Sequence, residues 1–296
     1  MVKRALSVYS HKKTFGRVNG FDILVYGLLM FVGLICAFPL MYVCSVSLTP
    51  IAEVYKNGGF VLLPKSITFE AYHNILTKSG IPRALLVTSG ISVVGTVISI
   101  VLTSLIAYPL SRTDLPGRRF LVPFFVFTML FSGGIIPTYL VVKALGINGT
   151  YWAMIIPSAV STYNMLVMKA FFEGLPSELS EASRIDGANE FQVLLKIILP
   201  LSRPVMMTVS LFYLVTYWNT YFAALMYITD DKMQPLQIVL RRLLTASSSM
   251  QNIEQVVPTS TLQMAAVIVS SIPVIVIYPF LQKYFTKGMV LGAVKG

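Results

Sequence analysis

Six long apolar runs, separated by short polar connections, dominate the hydropathy pattern of this chain. They cover about Asp22–Leu48, Ala84–Leu110, Phe120–Val142, Tyr151–Phe172, Val205–Thr229 and Leu262–Phe285. Each has about 20 or more predominantly apolar residues, enough for an α-helix to cross a hydrocarbon core of about 30 Å. Two polar stretches between runs are longer than a turn requires. One covers 49–83 and carries a short helical pattern from Phe69 to Leu76. The other covers 230–261, where Leu236, Val239, Leu240, Leu243 and Leu244 form a helical stripe beside Arg241 and Arg242. A third interruption, Leu175–Pro204, combines charge with apolar spacing. It predicts two short helices joined by a turn. Pro176 suits a helix start. Leu175, Leu179, Ala182 and Ile185 share a face, and Gly187 permits the turn. Phe191, Leu194, Leu195, Ile198 and Leu199 then make a second stripe, closed by Pro200 and Pro204.

Composition points the same way. The 296 residues are 55% hydrophobic and 12% charged, about half the charge of an ordinary soluble domain. The predicted fold class is all-α, a polytopic membrane protein with six transmembrane helices, in which each span satisfies its own backbone hydrogen bonds. The formal charge of +11 reflects topology rather than nucleic-acid binding. Lys3, Arg4, Lys12, Lys13, Arg17, Arg112, Arg118, Arg119, Lys169, Arg184, Lys196, Arg203, Lys283, Lys287 and Lys295 fall on one side of a six-span threading. Only Lys56, Lys65, Lys78, Arg83, Lys143, Lys232, Arg241 and Arg242 fall on the other. The positive-inside rule puts both termini and the 175–204 loop in the cytoplasm. The chain reads as a single membrane domain over 1–296. It has a cytoplasmic N-terminal segment (1–21), a six-span core (22–287) and a cytoplasmic tail (288–296).

The chemistry available to the chain is narrow. Cys36 and Cys44 lie in the first span, eight residues apart on one helix, and cannot bond each other. His11 and His73 fall in opposite aqueous regions, so no metal pair is expected. No phosphate-binding GxxxxGK[ST] loop, HExxH, CxxC or GxSxG occurs. The segments 84–110, 120–142, 205–229 and 262–282 contain no Asp, Glu, Lys, Arg or His. Ion-coupled transporters and charged-ring channels use such residues at membrane depth. A stand-alone secondary transporter or channel for a neutral solute is therefore the weaker alternative, and a membrane-embedded enzyme lacks its catalytic cluster. What the spans offer is hydroxyl, amide and aromatic. Tyr163, Asn164, Tyr213, Tyr217, Trp218 and Asn219 are the candidate substrate-path residues, against the competing reading that they pack helices.

Within the 175–204 loop, Glu181-Ala182-Ser183, then Asp186-Gly187-Ala188, then Ile198-x-Pro200 resemble the EAA loop of permease subunits in binding-protein-dependent ABC importers. Ser183 stands where the family has a second alanine. The resemblance extends to FSGGIIPTYL, YWNTYF and KGMVLGAVKG, which are similar to the maltose-type carbohydrate permeases. FVLLPKSITFEAYHNIL is similar to the branch containing lipoprotein-linked oligosaccharide permeases. The resemblance implies a non-catalytic half of a heteromeric channel in a bacterial plasma membrane. A second homologous permease completes the path, and a cytoplasmic ABC ATPase dimer binds ATP and magnesium. An extracellular solute-binding protein delivers an oligosaccharide, with 49–83 and 230–261 as docking candidates. Glu181, Ala182, Ser183, Asp186, Gly187 and Ala188 would form the ATPase-coupling helix, with Lys287–Gly296 as a second cytoplasmic contact. The chain itself would hold no cofactor or metal.

Overall fold

The computed structural model describes residues 20–246 and 260–293. The basic segment 1–19, residues 247–259 of the long polar stretch and the last three residues of the tail lie outside the described residues. The described chain is helical throughout and contains no strand.

Three helices are long and apolar enough to cross a membrane unbroken: α1 (Gly20–Ser47), α4 (Ile81–Ser111) and the final helix, Ser260–Ala293. Between α1 and α4 lie the short α2 (Ile51–Lys56) and α3 (Glu70–Lys78). The other three expected spans are broken by bends rather than straight. The third divides into α5 (Arg118–Leu130) and α6 (Ile135–Ala144), bent by 113°. Gly134 sits at the break with φ +86 and ψ 179, a conformation essentially confined to glycine. The fourth divides into α7 (Trp152–Ile155), extended as a 3-10 turn to Ser158, and α8 (Thr162–Glu173), bent by 51°. Pro157 lies in the 3-10 turn, and Ser161 restarts the helix as an N-cap, its side chain accepting from the Asn164 N–H.

The fifth span also departs from expectation. After α9 (Ser177–Ile185) and α10 (Glu190–Val193), a π-helical turn over Leu194–Ile198 leads into α11 (Leu199–Leu201). The chain then turns by 84° into α12 (Arg203–Trp218). That helix stops at Trp218, well before the predicted Thr229, and the short α13 (Phe222–Tyr227) follows a break at 219–221. The helical stripe at 236–244 forms α14 (Leu236–Ala246), and α15 is the final helix, Ser260–Ala293. Counting each bent pair as one span gives six.

The core is built on α4. One face of this helix is a seam of small residues at helical spacing: Thr88, Ser92, Gly95, Thr96, Ser99, Thr103, Ser104 and Ala107 are all buried. Small side chains let a neighbouring backbone approach closely, which is how helices associate where lipid supplies no hydrophobic drive. Tyr213 and Tyr217 of α12 fill the seam. The Tyr217 hydroxyl shares a hydrogen bond of 2.9 Å with Ser99, and that of Tyr213 one of 2.7 Å with Thr103. Below them Met165 and Met168 of α8 complete the main cluster with Val193, Leu194 and Ile198. A second cluster joins Ile75 and Ile81 to Trp218, Leu236, Ala265 and Ala266. At its edge the Leu236 N–H, an orphan donor at the start of α14, donates to Thr88 Oγ1 at 2.7 Å. By contrast, the most apolar stretch of α1 buries nothing inside the molecule, as expected of a helix facing lipid.

Gly95 is the closest approach in this packing. A Cβ there would lie 2.8 Å from the Tyr217 ring. Gly95→Ala should therefore displace Tyr217 and strain both its hydrogen bonds, at a cost of about 1–3 kcal/mol for overpacking. Thermal unfolding of the detergent-solubilised chain should shift down by several degrees. An unchanged transition would show that the seam is slack.

Candidate functional site

Two regions gather the residues singled out in the sequence: the 177–193 loop, and a cavity at the break between α7 and α8.

The loop is an ordered helix–turn–helix. At the end of α9 the Ala188 N–H donates to Ser183 O at 2.9 Å and the Gly187 N–H to Arg184 O at 3.0 Å. These two bonds close the helix with a left-handed residue, and Gly187 supplies it with φ +83. Asn189 then opens α10 with a reciprocal cap. Its side chain accepts from the Gln192 N–H at 2.9 Å, and its own N–H donates to Gln192 Oε1 at 3.0 Å. The N–H groups of Asp186, Gly187, Ala188 and Asn189 thus all have partners inside the loop, which helps fix the shape of the reversal. Glu181, Ala182, Asp186 and Gly187 are exposed, and Ser183 and Ala188 are half-buried. The Ser183 hydroxyl donates back to Leu179 O at 2.6 Å, so it is occupied within its own helix. The apolar side chains of the loop point outward: Ile185 is 87% exposed, and Leu179 and Phe191 are also exposed.

What fastens the loop to the rest of the molecule escaped the sequence reading. Glu190, at the first turn of α10, accepts from Tyr108 Oη at 2.7 Å through one carboxylate oxygen. The other oxygen accepts from Arg184 Nε at 2.7 Å. Arg112 stands 3.9 Å away, its guanidinium 5.6 Å above the Tyr108 ring. Burial pushes the Glu190 carboxyl up. Hydrogen bonds from Tyr108 and Arg184, with the charges of Arg184 and Arg112, outweigh it and hold the group below the ordinary carboxylate value. One carboxylate therefore ties α9 and α10 to the end of α4. These groups, with Leu105, Leu115, Phe191 and Leu194, line a cavity of ≈ 470 Å³. A parallel tie joins the start of α5 to α8. Arg118 pairs with Glu173, which Lys169 also meets at 2.7 Å, and Arg118 Nε donates to Leu110 O at 2.9 Å. No spacing rule links Glu190 to Tyr108, 82 residues away. A carboxylate just beyond the turn, six residues after the one arginine of 177–193, was the available signal.

The second region divides the six substrate-path candidates. Tyr163, Asn164 and Tyr213 line a cavity of ≈ 500 Å³ together with Ser158, Val160, Ser161, Phe212 and Thr216. Tyr217 and Trp218 are buried in the helix packing and do not line it. The Tyr217 hydroxyl is taken up by Ser99 and by Ile155 O at 3.1 Å. Asn219 is exposed past the end of α12, its amide donating to Val215 O at 2.9 Å. Ser158, Ser161 and Thr216 add hydroxyls to the same opening. Among the described residues no group of three or more His, Cys, Asp or Glu side chains could hold a metal.

A helical membrane half-bundle with a capped, outward-facing loop between its fourth and fifth spans matches one family over most of its length. Residues 95–291 match the binding-protein-dependent transport system inner membrane component, and the chain belongs to that family. Among its relatives, the polygalacturonan/rhamnogalacturonan transport system permease protein YtcP of Bacillus subtilis is 45% identical, over 93% of this chain and 98% of the relative. Protein LplC of the same organism is 42% identical, over 97% and 98%. Among solved structures, a chain of a bacterial ABC transporter involved in the import of the acidic polysaccharide alginate superposes with a TM-score of 0.83 and 31% identity, covering 90% of this chain and 96% of that one.

If Glu190 fastens the loop as described, Glu190→Ala should raise the hydrogen-exchange rate of the 177–193 amides about tenfold, as loss of about 1.4 kcal/mol of local stability requires. Exchange in α12 should stay near the native rate. A loop that exchanges no faster in the variant would mean that the caps alone hold it.

Proposed function

We propose that this chain forms one half of the translocation path for an oligosaccharide in an ATP-driven importer of the bacterial plasma membrane, and that it is driven through the 177–193 loop. The observation that carries this reading is the loop itself. It is internally capped, exposes Leu179, Ile185 and Phe191 to solvent, and is fastened to α4 by the Glu190 carboxylate. A rigid, apolar-faced projection tied to a spanning helix is what a partner needs in order to push or pull on the bundle as a body. The partner is a cytoplasmic ATPase dimer, which binds the ATP and magnesium; this chain hydrolyses nothing. Glu181, Ala182, Ser183, Asp186, Gly187 and Ala188 form the coupling surface. The excess of Lys and Arg on that side supports a cytoplasmic loop with both termini inside.

The other partners follow from what the chain leaves open. Irregular backbone is not tolerated against lipid. The exposed break at Phe131–Gly134 between α5 and α6 therefore suits cover by a second, homologous permease. On the outer side, 49–83 and 230–261 are the candidate contacts for a solute-binding protein, which the family's own description requires for transport. There the Glu53 carboxylate holds the 65–66 turn, accepting from the Lys65 N–H at 2.9 Å and from Ser66 Oγ at 3.0 Å. The relatives named for polygalacturonan/rhamnogalacturonan transport and for alginate import support a carbohydrate substrate. The uncharged, aromatic and hydroxyl-rich lining of the α7–α8 cavity suits sugar rings.

Gly187→Val tests the coupling role, because φ +83 is a conformation a β-branched residue avoids. The variant should insert into the membrane at the native level, yet sugar-stimulated ATP hydrolysis by the assembled importer should fall about tenfold or more. Native stimulation would sink the coupling assignment. Uptake of sugar into liposomes by this chain alone would sink the importer reading altogether.

A further inference from the structure

The cavity of ≈ 470 Å³ at the junction of α4 and α10 carries charges that fastening the loop does not use up. Two arginines, Arg112 and Arg184, and two carboxylates, Asp114 and Glu190, line it. Arg184 and Glu190 belong to each other, with Nη2 at 2.6 Å and Nε at 2.7 Å from Oε1, and the Tyr108 hydroxyl takes the other carboxylate oxygen. Arg112 and Asp114 are left over. Arg112 Nη2 stands 3.9 Å from Glu190, beyond hydrogen-bond reach, and both its Nη2 and its Nε are buried with no acceptor among the described residues. Guanidinium donors closed off from water without an acceptor are destabilising. Asp114, in the connection between α4 and α5, is exposed and makes no hydrogen bond or ion pair among the described residues. The cavity thus presents one unmatched cation and one unmatched anion. That is the complement of a zwitterion rather than of a simple anion.

The rest of the wall decides what carries the zwitterion. Leu115, Phe191 and Leu194 are apolar, and Leu105 lies seven residues back from Arg112 along α4, about 10 Å toward the middle of the span. Polarity therefore falls along one cavity, from charged at the end of α4 to apolar at membrane depth. Leu105 also ends an exposed apolar stripe. Val94, Val97, Val101 and Leu105 recur at helical spacing and are all exposed. From 94 to 105 the helix rises about 16 Å, close to one leaflet of a hydrocarbon core of about 30 Å. A charged head site that continues into an apolar track one leaflet long has the shape of a phospholipid. A soluble zwitterion would leave the track empty, an anionic lipid would leave Asp114 unmatched, and a choline head has no N–H to donate to it. We infer that this cavity holds the phosphoethanolamine head of a phospholipid from the leaflet on the side of the 177–193 loop. The phosphate accepts from the adjacent Nε and Nη2 donors of Arg112, a fork suited to two phosphate oxygens. The ammonium donates to Asp114, and one acyl chain lies along the α4 stripe. Pockets of this kind between spanning helices are ordinary places for lipid heads. The lipid sits beside the Arg184–Glu190 pair, so the junction that fastens the loop shares a wall with the bilayer. This inference concerns the bilayer and is independent of the solute that crosses it.

The test uses the importer purified with its partner subunits in detergent and stripped of lipid. It is titrated with dioleoyl phosphatidylethanolamine, phosphatidylglycerol or phosphatidylcholine, and bound lipid is counted by native mass spectrometry. Phosphatidylethanolamine should bind at least fivefold more tightly than either of the others. Asp114→Asn should bring it down to the level of phosphatidylglycerol, and Asp114→Glu should restore part of the preference. Arg112→Gln should weaken phosphatidylethanolamine about tenfold. Equal binding of the three lipids by the native complex would overturn the proposal. So would undiminished binding of phosphatidylethanolamine to either Asp114→Asn or Arg112→Gln. A native complex that binds none of the lipids would show the cavity covered by a partner subunit, which overturns it too. Soluble glycerophosphoethanolamine serves as the competitor. If it displaced the lipid at a comparable concentration, the site would belong to soluble phosphate esters and the lipid assignment would fall. The comparison of lipids on the native complex needs no variant to fold. Sugar-stimulated ATP hydrolysis in a complex without lipid preference would leave the permease reading standing while this inference falls.

Discussion

The Tyr217 ring rests on the bare backbone of Gly95, and much of the bundle's arrangement depends on that contact. It brings α4 and α12 close enough for the Ser99 and Thr103 hydroxyls to reach the two tyrosines of α12. In lipid, helices gain little from burying apolar surface against each other, so close packing and interhelical hydrogen bonds decide which faces meet. A seam of Gly, Ser, Thr and Ala supplies both. It also spends the Tyr213 hydroxyl usefully: besides Thr103, that hydroxyl accepts from the Ser161 N–H at 2.9 Å. The same contact that joins α4 to α12 therefore holds the α7–α8 break open at a defined place.

Backbone satisfaction explains why breaks of this kind mark working surfaces. A helix interrupted inside a membrane frees N–H and C=O groups that hydrocarbon cannot solvate. At Ser161 the freed groups include the Ser161 N–H, met by the Tyr213 hydroxyl, and the Asn164 N–H, met by the Ser161 side chain. At Gly134 they stand on the surface of the isolated chain, with Ser132 Oγ accepting from the Gly134 N–H at 3.2 Å. The two breaks thus differ in kind: one opens on a polar-lined cavity, the other on the surface of the isolated chain.

The loop and the cavity are mechanically connected. Tyr108 and Arg112 lie at one end of α4, where Glu190 fastens the loop. Thr103 and Ser99 lie about one and a half and two and a half turns from Tyr108 on the same helix, where Tyr213, which lines the α7–α8 cavity, and Tyr217, which does not, are anchored. The loop and the Tyr213 wall of the cavity are thus anchored on the same helix.

Much of this was legible in the chain. Six apolar runs, the charge asymmetry and the EAA-like pattern determined the helical membrane class, the family and the position of the loop. These are local properties, set by hydropathy and by turn chemistry within a few residues: Gly187 closes α9 where the sequence placed a turn. The bends were only half legible. Gly133-Gly134 and Pro157 are residue types that permit an interruption, but they do not set angles of 113° and 51°, because a break bends only as far as neighbouring helices allow. Tertiary structure alone decided that Asn164 faces a cavity while Tyr217 and Trp218 do not, since one helix face looks like another until a partner covers it. It alone paired Glu190 with Tyr108 as well. The loop that stood out in the sequence as a charged interruption could be located there, but its attachment could not, because a hydrogen bond between residues distant in the chain leaves no periodicity behind.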